Sequence, residues 1–222
     1  MDRSLYRLLA WLSPAYPIGA FSYSHGVETA VEEGFIKDRV SLVTWLETVL
    51  GDGTGRVDGA LFATAWRAAD ARDWPGFREI AERAAAWRGT SEMALESRQQ
   101  GGSFLSITRT AWPHPDFNEV EADLALPVAV ALATALHGIA LETALEAYLH
   151  AFMANLISAA VRTVPLGQTD GQLALAALED AVRRAVQAAV AVTDLDDVGT
   201  ATPLLDWCSL HHEIQYTRLF RS

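Results

Sequence analysis

Apolar residues recur every three or four positions along most of this chain, and nowhere do they alternate with β-branched residues between hairpin turns. A period near 3.6 belongs to a helix with one buried face, and a period of two to a half-buried strand. This pattern restricts the chain to an all-α fold, a bundle-like globular domain of about ten helices. No fixed-period repeat divides it.

The most informative stretch runs from Asn155 to Gln172. Asn155, Ser158 and Arg162 fall at i, i+3 and i+7 and draw one polar stripe along an alanine-rich helix. Pro165 and Gly167 end that helix, because proline lacks a backbone donor and glycine accepts the conformation after the last turn. Gln168-Thr169-Asp170-Gly171-Gln172 then forms a polar knot. A second helix follows, with Leu175, Leu178, Val182, Ala185, Ala189 and Val192 in one periodic series. Spacing alone is satisfied by a solvated helix face and a corner.

The remaining elements follow from local signals. Leu5, Leu8, Leu9 and Leu12 give a short amphipathic helix. Pro14, Pro17 and Gly19 make the next segment extended and turning, and Tyr16, Phe21 and Tyr23 are large enough to pin it to the helices. Ser24 is expected to cap a helix that ends at Gly34, and Asp38 the one after it. Gly51 to Gly55 reads as a flexible connector, its glycine spacing wrong for a nucleotide loop. Helices are expected over 57–72 and 74–88, and another from Thr90 or Ser91. At Gly101-Gly102 that last helix either breaks or meets a neighbouring backbone. Pro127 and Leu141 start two further apolar helices, the second carrying the polar stripe, and Pro203 restarts structure for the final segment.

Composition bounds the function. A chain of 222 residues can bury a sizeable core in one domain. That domain is read as residues 1–222, with a helix and Pro/Gly segment over 1–24 and a partner-dependent tail over 203–222. A net charge of −11 argues against nucleic acid and anionic membrane surfaces as partners. The single cysteine, Cys208, excludes an internal disulfide and fits a reducing compartment. The first helix, with Arg3, Tyr6 and Arg7, lacks a cleavage site, so a cytoplasmic location is expected.

Catalytic signatures were sought among the ligand-forming residues. No HExxH helix, EF-hand loop or P-loop occurs. His211 and His212 are adjacent and point about 100° apart on a helix, so they are weak metal candidates. One is expected to pack and the other to be solvated. Asp194, Asp196 and Asp197 read as a loop feature, and Cys208 as a buried structural thiol. The residues alone leave open a binding scaffold, a plain helical dimerisation module, or a metal-dependent enzyme built on His211, His212 and the aspartates.

Four stretches, taken in order, resemble the urease accessory protein UreF family. They are Ser13-Pro14 with Pro17-Ile-Gly-Ala-Phe-Ser-Tyr-Ser-His-Gly-Val-Glu28, Tyr148-Leu149 with Asn155 to Arg162, Val164 to Gln172, and His212 to Ser222. Val27 and Thr217 stand where that family often has Leu and Ser, and His25 occupies a position expected to vary. The resemblance implies an all-helical, non-enzymatic, cytoplasmic adaptor, usually a homodimer, with no cofactor of its own. Such an adaptor serves nickel insertion by scaffolding a UreD-type (or UreH-type) accessory protein, a UreG-type GTPase and apo-urease, and modulates the GTPase. It also implies partner-binding residues: Tyr23, Ser24 and Glu28; Arg162, Gln168, Asp170 and Gln172; and Glu213, Gln215, Tyr216 and Arg218. Arg162 or Gln168 could act on the GTPase. Tyr216, Leu219 and Phe220 support an interaction on their own chemistry, since each large apolar group left wet forgoes roughly 1.5–3 kcal/mol.

Overall fold

In the computed structural model, which describes residues 3–222, helix α7 (Leu126–Leu136) lies at the centre. Every residue from Pro127 to Leu136 is buried. A helix that is apolar on all sides has to be surrounded. Its neighbours are α4 (Thr54–Asp70), α6 (Ser91–Ala111), α8 (Leu141–Thr163) and α5 (Trp74–Ala86). Thr134, its one polar side chain, is satisfied by donating to the Val130 carbonyl at 2.9 Å. The other helices are α1 (Arg3–Trp11), α2 (Val27–Glu32), α3 (Arg39–Gly51), α9 (Gln168–Ala177), α10 (Glu179–Ala191) and α11 (Pro203–His212). The fold is all-α, with no strand among the described residues. By length and composition α8 could cross a membrane, yet half of its apolar window is buried in the molecule.

The two glycines of α6 are explained by close approach, not by a break. The helix is continuous, and a Cβ on Gly101 would stand 2.0 Å from the Leu124 carbonyl oxygen. The chain entering α7 therefore lies directly on the α6 backbone. Gly51–Gly55 is likewise no flexible connector. A Cβ on Gly55 would come within 2.9 Å of the Leu50 Cα, so the corner between α3 and α4 is tight. Asp38 caps α3 as expected, accepting from the Ser41 N–H at 2.8 Å, while the Ser41 hydroxyl accepts from the Asp38 N–H at 3.1 Å.

Two expectations are corrected. The helix after Ser24 starts later, at Val27, because Gly26 takes the capping position with a φ of 78°. Ser24 instead accepts from the Glu28 N–H at 3.3 Å. The periodic series from Leu175 to Val192 is two helices, not one. At Leu178 the N–H bonds to the Leu175 carbonyl, which tightens the last turn of α9 and turns the chain. α9 then rests on α3 and α8, while α10 also reaches α4. Arg183 takes both Glu179 and Asp180, and Arg184 reaches Glu47 at 3.9 Å instead of pairing with Asp180.

The N-terminal segment is anchored through Trp11 and Tyr16. Trp11 meets Phe104, Trp112 and His137 edge-on, and the Tyr16 hydroxyl lies 2.8 Å from that of Thr108. Tyr23 is also buried, whereas Phe21 is 69% exposed. A buried ion pair, Asp58 with Arg88 at 2.7 Å, joins α4 to the segment that leads into α6. Tyr148 of α8 donates to Asp58 at 2.9 Å, and Arg88 donates to Ser97 at 3.0 Å. Burial, and then the Asp58 charge, push the Tyr148 hydroxyl well above its ordinary range.

Two outcomes follow from this packing. Gly101→Ala forces the Leu124 carbonyl away and is expected to cost about 3 kcal/mol, measured by chemical denaturation. His137 is held down to about 4 by burial first, then by Arg7 and His114. Its folded value lies below its unfolded value, so its contribution to stability is complete above about pH 6.5 and is lost as pH falls towards 4. Between pH 7 and pH 4.5 the wild type should lose more of its melting temperature than His137→Phe, by a few degrees. That difference corresponds to on the order of 1 kcal/mol once solvent screening of the half-buried ring is allowed for.

Candidate partner-binding surface

The strip from Tyr23 to Glu28, the first turns of α6 and the segment from His212 to Ser222 converge at one end of the bundle. Glu28 holds them together. Its carboxylate accepts from the Leu219 N–H at 2.7 Å and the Phe220 N–H at 3.0 Å. It also lies 3.1 Å from His212 Nε2. His212 is completely buried, and its Nδ1 lies 2.7 Å from Glu92. Each ring nitrogen therefore has a carboxylate oxygen within hydrogen-bond reach. Glu92 takes Arg218 on its other oxygen at 2.7 Å. Two carboxylates thus face an imidazole and a guanidinium.

A second set of bonds repeats this logic one turn further along α6. Glu96 accepts from the Ser222 hydroxyl at 2.8 Å and Gln100 at 3.2 Å, and lies 3.3 Å from His25 Nδ1. Burial works to raise the Glu96 carboxyl, but His25, Ser222 and Arg88 together hold it below the ordinary carboxylate value. His25 sits in the left-handed region at φ 57°, and its Nε2 meets Thr54 at 2.9 Å. Both the N–H and the hydroxyl of Ser24 bond to the main-chain oxygen of Ser222. Gly26 lets this strip approach α11, since a Cβ there would lie 3.3 Å from the Ser209 nitrogen.

Most of the residues implied by the resemblance lie here. Tyr23 donates to Gln99, and its ring sits 5.6 Å from the Arg221 guanidinium. Arg162, at the end of α8, donates to the Phe21 carbonyl at 2.8 Å and lies 4.3 Å over the Phe220 ring. Glu213 accepts from Ser91, and Gln215 accepts from Thr29 at 3.0 Å. Tyr216 is 103% exposed, next to Arg218 in the same segment. Gln168, Asp170 and Gln172 stand apart from this junction, at the start of α9. There Asp170 lies 3.5 Å from Arg39 of α3, and Gln168 and Gln172 are exposed. Gly171 packs this corner on α8, where a Cβ would lie 3.2 Å from Val161.

The metal candidates are otherwise engaged. His211 stacks on Trp207 with ring centroids 3.8 Å apart and donates to its carbonyl. Asp196 pairs with Arg83 at 2.7 Å, and Asp194 caps its own short turn. No group of three His, Cys, Asp or Glu among the described residues is placed to hold a metal ion. Cys208 is fully buried, and burial, with Glu33, pushes its thiol up to about 12.

Sequence reading passed over Glu92, Glu96, Gln99 and Gln100. A signal was present: these residues fall at i, i+4, i+7 and i+8 and mark one polar stripe along α6. Glu28→Ala leaves two backbone N–H groups and one nitrogen of a buried imidazole without their partner. It should release residues 216–222, seen as faster amide exchange there, and lower stability by about 3 kcal/mol. Unchanged exchange would show that the tail is held by other contacts.

A family model described as UreF matches residues 36–179 of this chain. Proteins named urease accessory protein UreF are similar along its whole length. One from Granulibacter bethesdensis is 51% identical, over 100% of this chain and 95% of its own. One from Bradyrhizobium diazoefficiens is 48% identical, over 99% of this chain and 92% of its own. A third, from Rhodopseudomonas palustris strain BisB5, is 50% identical over 99% and 91%.

Proposed function

The chain belongs to the UreF family of urease accessory proteins, and from that membership we propose that it is a non-enzymatic scaffold for urease maturation. In this reading it joins a UreD-type (or UreH-type) accessory protein, a UreG-type GTPase and apo-urease, helps nickel insertion, and works in the cytoplasm as a homodimer. The observation that carries the proposal is the outward display of large apolar groups by a segment that is itself anchored. Ile214, Tyr216 and Leu219 are 81%, 103% and 55% exposed, while Phe220 and His212 on either side are buried. Aromatic and aliphatic anchors beside an arginine are the usual composition of a hot spot.

The chemistry of the junction supports binding over turnover. Glu28, Glu92 and His212 are engaged by one another and by the tail, so none is poised to move a proton to or from a substrate. Arg162 is committed to Phe21 and Phe220, which favours a part in shaping the surface over direct action on a GTPase. Any effect on GTP turnover then comes from binding one state of the GTPase more tightly than another. Gln168, Asp170 and Gln172 form a second exposed corner, suited to a different partner or to the second protomer.

Tyr216→Ala tests this directly. The side chain touches solvent only, so folding stability should change by less than about 0.5 kcal/mol. Affinity for the UreD-type partner in a titration should fall at least about ten-fold. Unchanged affinity for both the UreD-type protein and the GTPase would remove Tyr216 from the interface.

A further inference from the structure

Helix α11 is apolar on two sides. Its inner face, Leu205, Cys208, Ser209 and His212, is buried, and two of those four are polar. Leu204, Trp207, His211 and Ile214 recur at i, i+3, i+7 and i+10, and with Leu210 they draw a stripe on the opposite side. Leu204, Leu210 and Ile214 are 43%, 51% and 81% exposed, and Trp207 is half-buried. Phe35, 40% exposed, widens the stripe, its ring 6.2 Å from that of Trp207 and edge-on to it. A helix that shows apolar groups outward as well as inward calls for a second cover. Acidic groups border the stripe on both sides. Asp206 and Glu213 lie on its α6 side, where Glu213 accepts from Ser91 and a Cβ on Gly89 would meet Asp206. Glu33 lies on the other, two residues before Phe35 and close enough to Cys208 for its charge to act on that thiol. None of the three forms an ion pair among the described residues. Lys37 is exposed two residues after Phe35, while Arg218 is taken by Glu92 and His25 by Glu96 and Thr54.

We propose that this stripe receives a basic amphipathic helix of another protein, with apolar residues on Trp207, Phe35 and the leucines and Lys or Arg groups against Glu33, Asp206 and Glu213. The stripe runs about 15 Å along α11, roughly three turns, which a facing helix matches with apolar residues at i, i+3 or i+4, and i+7. Trp207 is the anchor, a half-buried aromatic group at the centre of the patch. Charge separates the possible occupants. A second copy presenting this same face would bring like carboxylates together, with −11 on each molecule. A nucleic acid or an anionic membrane is repelled for the same reason. The inference rests on the reading of this end of the bundle as a partner-binding surface and adds the chemistry of what docks there. Its contact lies on α11 itself and not on Tyr216.

The probes are two synthetic helices of one apolar pattern, acetyl-KLAKLLKKLAKLLK-amide and the same peptide with Glu in place of every Lys, titrated calorimetrically into the purified full chain. Saturable binding of the basic helix is expected, with the acidic one at least about ten-fold weaker. Leu210→Asp and Ile214→Asp change exposed side chains, so the fold is kept, and each should weaken the basic helix at least about ten-fold. Both add negative charge and would strengthen mere adhesion to an acidic surface, so a loss identifies the stripe. Glu213→Lys should weaken the basic helix and strengthen the acidic one, and decides alone if the Asp variants lose their cooperative melt. Tyr216→Ala should leave both affinities unchanged. No binding of the basic helix, equal binding of the two, or binding that ignores Leu210→Asp and Ile214→Asp would overturn the proposal and leave the reading of Tyr216 untouched. Self-association of the wild type that Leu210→Asp abolishes, with no affinity for either peptide, would assign the stripe to a second copy and overturn it too. Stripe-dependent binding of the basic helix supports it even if Tyr216→Ala does not alter affinity for the UreD-type protein.

Discussion

Glu28 is the acceptor on which the functional end of the molecule depends. A carboxylate that takes two consecutive backbone N–H groups fixes the path of the chain at Leu219 and Phe220, much as a helix cap fixes a first turn. The same carboxylate meets the ring of His212, so one side chain sets both ends of the loop from His212 to Phe220. Everything in between is then positioned with no core of its own. That explains how Tyr216 can be fully exposed while Phe220, four residues later, is buried under Arg162. Free in solvent, a polar segment of this length would have no reason to hold one shape.

Glu28 can do this only because α6 presents Glu92 and Glu96 to the same place, and α6 is itself fixed from behind. Asp58 and Arg88 form an ion pair shielded from water, with Tyr148 and Ser97 satisfying further atoms of the pair. Such a pair adds little net stability, because desolvation offsets most of the attraction. Its geometric demand is strict, however, and it locks α4, α6 and α8 in one register. Gly101 adds a second constraint by bringing the entry to α7 onto the α6 backbone. A protein with a net charge of −11 has therefore placed several acidic groups inside, each with a specific donor.

How much of this was readable depends on the range of the interaction. Helix periods, the Asp38 cap, the proline starts at Pro127 and Pro203 and the all-α class are encoded by neighbours in sequence, and they were legible. The turn at Leu178 was not, because the apolar series runs through it unbroken and only tertiary neighbours decide that α9 and α10 part. The resemblance directed attention to Glu28, Tyr23 and the tail, yet nothing in their own stretches names the partner across the fold. Glu92 and Glu96 lie at helical spacing in a helix otherwise read for its glycines, and they contact residues more than a hundred positions away. His25 was expected to be a position that varies in the family. The structure gives it a left-handed backbone and two side-chain partners, neither of which local sequence can show.

The anchored tail also bears on the energetics of assembly. Ordering one backbone residue costs about 1–2 kcal/mol, so a segment of this length that folds only on contact draws heavily on its binding energy. Here the bonds to Glu28, Glu92 and Glu96 meet part of that cost before any partner arrives. The exposed groups, Ile214, Tyr216 and Leu219, are then available at little further loss of entropy. The anchor consists of hydrogen bonds and charges around one imidazole, together with the buried ring of Phe220. A partner that offered Glu28 and Glu92 better donors could displace the segment and take its place. A partner that bound Tyr216 and Leu219 would instead tighten it, so the direction of coupling is set by which of the two surfaces is engaged first.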